Sequence, residues 1–183
     1  MPLRLIQPSS DYISSYLEAL REGLHSGMGP MAESEILKIE KAPDDFLARI
    51  NGPQPTTFTQ KDGKVVPWLK VSRLWTVDHK EIVGIVNVRH ELNDLLRIVN
   101  GNIGYGIRPS RQRKGLGVSQ LKLALKYFHQ ETGYPRALMC CYSDNIASRR
   151  VIEKSGGLLL ETETDPDEPY KTILRFWVDL PPS

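Results

Sequence analysis

One stretch of this chain leaves few folds open to it. From residue 102 the sequence reads N-I-G-Y-G-I-R-P-S-R-Q-R-K-G-L-G-V-S-Q and continues as L-K-L-A-L-K-Y-F-H-Q-E. Residues 102–107 read as a strand that Arg108-Pro109 ends. A helix is expected from about Gly117 to Glu131, with Val118, Leu121, Ala124, Leu125 and Phe128 on one face. A strand that feeds a helix needs a sheet to pair in and a layer to cover the helix's apolar face, so the chain must build an α/β unit. The loop between them carries Arg111, Arg113, Lys114, Gly115 and Gly117. Glycines let backbone N–H groups approach an anion, and the unpaired N–H groups of a first helical turn point at it, so this is phosphate-binding chemistry.

Two phosphate motifs do not fit. A P-loop ends in Gly-Lys followed by Ser or Thr, whereas Lys114 here precedes Gly115 and no hydroxyl follows. A dinucleotide fingerprint needs a third glycine, but Gly104-Tyr-Gly106 runs into Arg108-Pro109 and Gly115-Leu-Gly117 runs into Gln120.

The rest of the chain supplies the layers. L-R-L-I near the start is a short strand closed by Pro8, and Ser9-Ser10-Asp11 can cap a helix reaching about Leu24, with Ile13, Tyr16, Leu17, Leu20 and Leu24 at helical spacing. Residues 23–31 and 51–55 read as loops around a short helix from Pro43-Asp44 to about Ile50. Residues 66–89 read as a hairpin of two long strands that turns at Asp78-His79-Lys80. After the central helix come a strand over 136–142, a helix from Asn145 to about Ser155 stopped by Gly156-Gly157, and strands over 158–161 and 172–178. The 183 residues are expected to form a single domain around one mixed sheet.

Composition removes other classes. A net charge of +2 does not make a dedicated nucleic-acid or anionic-membrane binder, and the basic residues of the loop come without an aromatic stacking platform. No apolar run is long enough to cross a bilayer and the first residues lack a signal-peptide pattern, so a cytoplasmic protein is expected. Cys140 and Cys141 are adjacent in an apolar run and read as buried small side chains, while His25, His79 and His129 have no metal-ligand spacing.

The spacing of Gln112, Gly115 and Gly117 resembles the coenzyme A-binding motif of the GNAT N-acetyltransferase superfamily, written as Gln or Arg, two residues, Gly, one residue, Gly or Ala. The family sets this motif after a strand ending like Y-G-I-R-P, as in residues 105–109, and follows its helix with a strand and an Asn-led helix, here Asn145-Ile-Ala-Ser148. The resemblance covers about residues 82–157 with motifs. It implies a single GNAT-like domain: a mostly antiparallel mixed sheet flanked by helices and splayed near the strand 102–107. It implies acetyl-coenzyme A as donor, with coenzyme A as product and an amine as acceptor. The backbone of Arg113, Lys114, Gly115, Leu116, Gly117 and Val118 would hold the pyrophosphate. The strand edge at Ile107 and Arg108 would pair with the pantetheine arm, with a backbone N–H near Ile107 facing the oxyanion, and Asn145 and Ser148 would touch the pantetheine or thiol end.

The proton transfers need their own residues. A free lysine amine has a pKa of about 10.4 and must shed a proton before attack. His90 and Glu91, at the end of the strand before the loop strand, are the candidates to take it, on the expectation that the sheet opens there. Many family members place a thiolate-protonating tyrosine seven residues after the asparagine; Ile152 stands there, leaving water, Ser148 or Tyr142 as substitutes. Tyr105 reads as packing, and the acidic stretch E-T-E-T-D-P-D-E-P as a solvated hairpin loop with the alternative of attracting a cationic acceptor. The same residues also fit a module that holds an acyl-coenzyme A without turnover. The acceptor is not written in the chain; residues 23–31, 51–63 and 165–170 are the loops expected to face it, and a homodimer is the default assembly.

Overall fold

A computed structural model describes residues 2–27, 29–59, 63 and 65–180. In chain order it places β1 (Arg4–Ile6), α1 (Ile13–Arg21), α2 (Glu33–Lys41), α3 (Pro43–Asn51), β2 (Thr57–Thr59), β3 (Val65–Pro67), β4 (Val71–Asp78) and β5 (Glu81–Arg89). There follow α4 (Asp94–Val99), β6 (Ile103–Ile107), α5 (Leu116–Thr132), β7 (Arg136–Tyr142), α6 (Ile146–Lys154), β8 (Gly157–Thr164) and β9 (Thr172–Asp179). Single 3₁₀ turns precede α1 and α5.

The strands form two sheets, ordered β1-β4-β5-β6 and β7-β9-β8, with every ladder antiparallel, beside the small β2-β3 hairpin. Alternation along β4 and β5 divides the side chains between two apolar layers. Trp75, Val77 and Ile82 pack against α1, α2 and α3 through Tyr16, Leu20, Ile36 and Phe46. Leu74, Val86 and Val88 pack against α5 through Leu121, Leu125 and Phe128 and continue into Met139, Phe176 and Val178 of the second sheet.

Three elements go beyond the pattern in the sequence. α2 and α4 bury two residues and none respectively, so their apolar periodicity is too thin to read. The β2-β3 hairpin is only three pairs long. The helix expected to reach Leu24 ends at Arg21, because Gly23 turns the chain with φ +94° while Leu24 still inserts into the core at 1 % exposure.

Candidate active site

The two sheets meet at one point and part from it. The backbone N–H of Asn102 donates to Leu138 O at 2.7 Å, while its side-chain Oδ1 accepts from Leu138 N at 2.8 Å. Gly101 bridges Met139 beside it. From Ile103 onward β6 pairs only with β5, and β7 only with β9. This is the expected splay. Nothing in the sequence pattern marks Asn102 as its clasp; an asparagine in strand text, whose side chain can imitate a peptide group, is the only signal.

The open edge of β6 leads to the glycine loop. Arg108 N–H donates to Val83 O of β5 at 3.0 Å, so strand alternation turns the N–H and C=O of Ile107, and of Tyr105 before it, toward the splay. Ile107 O indeed accepts there from Gln112 Nε2 at 3.0 Å. Arg113 and Gly115 then take positive φ, 59° and 75°, and α5 starts at Leu116 without a side-chain cap on its first N–H groups. An uncapped helix start behind an exposed glycine fits a pyrophosphate. Val118 belongs to the same first turn. Gly117 serves another contact: a Cβ there would meet Val151 Cγ2 of α6 at 3.0 Å, so this glycine lets α5 and α6 close beneath the strand end.

The basic residues of the loop divide. Arg113 and Lys114 are exposed, Lys114 Nζ donating to Ser110 O at 3.3 Å. Arg108 and Arg111 turn back into the protein: Arg108 is bound to Glu22 at 2.6 Å and Glu18 at 3.3 Å, and Arg111 to Asp78 at 2.8 Å and Glu81 at 2.9 Å. The Arg108 contact with the pantetheine arm would therefore fall to its backbone neighbours, since its own N–H pairs with β5 and its side chain with α1.

On the α5–α6 face of the splay, Tyr105 Oη meets Ser148 Oγ at 3.1 Å, and burial pushes the phenol up to about 12. Asn145 caps α6, its Oδ1 accepting from Ser148 N at 3.0 Å. Ile152 is wholly buried, with its Cγ2 against Gly157, so the position turns into the core and has no room for a phenol. Burial also raises the free Cys141 and Cys140 thiols, to about 11 and 12.

On the opposite face the segment after α1 crosses β6. The His25–Ser26 backbone lies over Gly106, where any Cβ would strike the His25 carbonyl, and Ser26 Oγ accepts from Asn87 Nδ2 at 2.8 Å. Register places Arg73, Asn87 and Gly104 in one row, with Arg89 next to it. Across the splay, Tyr142 Oη donates to Asp165 Oδ2 at 2.7 Å, which pushes the phenol up to about 12. Of the loops expected here, residues 28 and 60–62 lie outside the described residues.

His90 and Glu91 require a correction. They were expected where the sheet opens, but they follow Arg89, which bonds to Asn102 at the clasp, whereas the splay opens toward Ile107, paired with Gly84 at the other end of the ladder. His90 is buried, Nε2 on Ser72 Oγ at 2.8 Å, and Ser72 accepts from Tyr127 of α5 at 3.1 Å. Burial first, then Lys70, pulls its pKa down. With Glu91 it lines a separate cleft of about 490 Å³ beside Arg97, Arg136 and Trp177.

No curated protein sequence matches this chain. Solved structures match it over nearly its whole length. An acetyltransferase from Salmonella typhimurium that modifies the N-terminal serine of ribosomal protein L7/L12 superposes with a TM-score of 0.64 at 13% identity, covering 99% of this chain and 96% of the other. AAC(6')-Ib, in complex with ribostamycin and coenzyme A, gives 0.62 at 14% identity over 98% and 94%. A chimera of spermidine N-acetyltransferase SpeG from Vibrio cholerae and hSSAT gives 0.62 at 14% identity over 98% and 96%. At such identities these likenesses show the fold. No helix among the described residues is long and apolar enough to cross a membrane. Residues 38–157 match the family model described as "Acetyltransferase (GNAT) domain", which spans the clasp, the splay, the glycine loop and α5 and α6, and the chain belongs to that family.

Proposed function

We propose that this protein is an acetyl-coenzyme A-dependent N-acetyltransferase that moves the acetyl group directly to an amine. The observation that carries this is the continuity of the free β6 edge with the uncapped start of α5, a channel for an extended arm that ends in a cradle for a pyrophosphate. Three structural neighbours, two of them acetyltransferases and the third, AAC(6')-Ib, in complex with coenzyme A, support the reading.

Acetyl-coenzyme A supplies a thioester whose carbonyl accepts the attacking nitrogen. As the C–N bond forms and the C–S bond breaks, the nitrogen loses a proton and the sulfur gains one. The outward N–H groups of Tyr105 and Ile107 are the donors available to a developing oxyanion, the kind of preorganised contact that contributes most to acyl transfer. Arg113, Lys114 and the first-turn N–H groups from Gly115 to Val118 hold the phosphates. The Tyr105–Ser148 pair offers the departing sulfur a hydrogen bond; a phenol near 12 is too weak an acid to give its proton outright. Tyr142 is held by Asp165 in the same condition on the acceptor side. His90 and Glu91 are assigned no part in the chemistry.

Calorimetry with acetyl-coenzyme A is expected to show binding by high micromolar concentrations, and thiol release should follow on adding an amine panel. No binding would sink the reading. Binding without thiol release from any amine would favour a non-catalytic acyl-coenzyme A module, the reading that the core position of Ile152 supports.

A further inference from the structure

The face from which an amine would approach the splay holds more arginine than acid. Arg73, half-buried on β4, has no hydrogen bond or ion pair among the described residues. Among the described residues Arg89 is held only by neutral oxygens, Gly101 O at 3.2 Å and Asn100 Oδ1 at 3.4 Å. Its guanidinium lies over Gly104, with Nη1 3.6 Å from where a Cβ would stand, and Cys140 of β7 faces it across the clasp end of the splay. Arg73 pairs in register with Asn87, Asn87 with Gly104, and Arg89 is the next residue on the same face. A largely buried guanidinium without a carboxylate is costly, and burial pulls the Arg89 pKa below its ordinary value.

The acids that might have balanced this face are already spent. Glu161 and Glu163 are both bound to Arg175, at 2.5 and 3.3 Å. Asp165 accepts from Tyr142 and from the N–H groups of Asp167 at 2.8 Å and Glu168 at 3.1 Å, closing its own turn. Glu168 is bound to Lys171 at 2.6 Å and to Tyr170. These four acids are therefore engaged within the hairpin, and none of them pairs with Arg73 or Arg89 among the described residues.

Resting on the N-acetyltransferase reading, we propose that the acceptor is an anionic amine: its carboxylate docks on Arg73 and Arg89 and its amino group reaches past Gly104 to the splay. Guanidinium groups are the natural receptors for carboxylates, and the site's unmatched charge disfavours polycationic acceptors such as spermidine.

The test measures thiol release from acetyl-coenzyme A with three amines: glycyl-glutamate, its carboxylate-free counterpart glycyl-glutamine amide, and spermidine. The dipeptide acid should exceed the diamide in kcat/KM by about tenfold or more, with spermidine lowest. Arg73→Gln, at a position with no partner to lose, should erase that preference while leaving coenzyme A affinity unchanged; Arg89→Lys should keep part of it and Arg89→Gln none. Equal or better use of spermidine or the diamide overturns the inference, as does a preference that survives Arg73→Gln, or no turnover of any carboxylate-bearing amine among the glycyl dipeptides. Calorimetry with coenzyme A separates the two readings: lost coenzyme binding sinks the acetyltransferase itself, whereas binding together with spermidine turnover sinks only the anionic acceptor.

Discussion

The guanidinium of Arg108 reaches back to Glu22, Nη2 to Oε1 at 2.6 Å, and ties the entrance of the glycine loop to the end of α1. The second carboxylate oxygen of Glu22 accepts from Ser110 N at 3.1 Å, so one acid fixes both the strand end and the turn after it. Arg108 is only 7 % exposed, and Glu22→Gln leaves it with the weaker Glu18 contact. A loss of about 2 kcal/mol is expected, measured by denaturant unfolding. The Arg108 hydrogen bond holds the Glu22 carboxyl at about 2, below its ordinary 4.5. A carboxyl depressed in the folded state contributes stability above the unfolded value that is lost as pH falls through the folded one, here from about 4.5 toward 2. Glu22→Gln should flatten the stability profile across that window.

The four basic residues of the loop should separate by what their loss changes. Arg113→Gln with Lys114→Gln removes two exposed charges that face no acid at ion-pair distance among the described residues, and should weaken coenzyme A binding about tenfold at low salt, less at high salt, with unfolding unchanged. Arg111→Gln breaks contacts to Asp78 and Glu81, and should lower stability by about 1 kcal/mol with little change in coenzyme affinity. Calorimetry at two salt concentrations, beside a melting curve, reads both.

The cradle was legible because its pattern is local: a strand stop, two glycines and an apolar helical stripe lie within about thirty residues, and backbone geometry follows from them. The splay was legible only through family resemblance, because its clasp joins Asn102 to Leu138, 36 residues apart, and no spacing records that contact. The same gap explains His90. Its position at a strand end was readable, but which end of β6 the splay opens toward depends on tertiary pairing of β5, β6 and β7. Arg73 and Arg89 sit in ordinary strand text, and only the register with Gly104 brings them to one face. Arg111 looked like one more phosphate ligand because Asp78, its partner, is 33 residues away.

His90→Gln should leave kcat/KM within about threefold of the parent, since the ring bonds to Ser72 under α5 at the clasped end of the sheet. Its effect belongs to stability, at a cost of about 1 kcal/mol from the altered Ser72 contact. Burial lowers the His90 pKa below 6.5, so the unfolded chain binds the proton more readily and stability falls as pH drops below about 6.5. Thermal melts from pH 5 to 8 should show that fall in the parent and a shallower one in the variant. A loss of turnover of a hundredfold with unchanged melting would return His90 to the chemistry.

Asn102 gives the sharpest test of the splay. Its side chain serves two backbone groups, accepting from Leu138 N at 2.8 Å and donating to Arg89 O at 3.2 Å, inside a residue only 6 % exposed. Asn102→Ala leaves both buried groups without these partners and should cost about 2 to 3 kcal/mol. Asn102→Asp should be worse, because a carboxylate keeps the acceptor, loses the donor and buries a charge. The clasp also sets where β6 and β7 begin to part, hence where the outward N–H of Tyr105 stands relative to Ser148. Loosening it moves the sheet edges at the reacting carbonyl while the cradle at Arg113 and Gly115, at the far end of β6, stays anchored through Arg108 and Glu22. In Asn102→Ala, kcat should therefore fall by tenfold or more while the coenzyme A dissociation constant changes less than about threefold. Equal losses in both would mean that the clasp shapes the whole channel and that the cradle is not independently held.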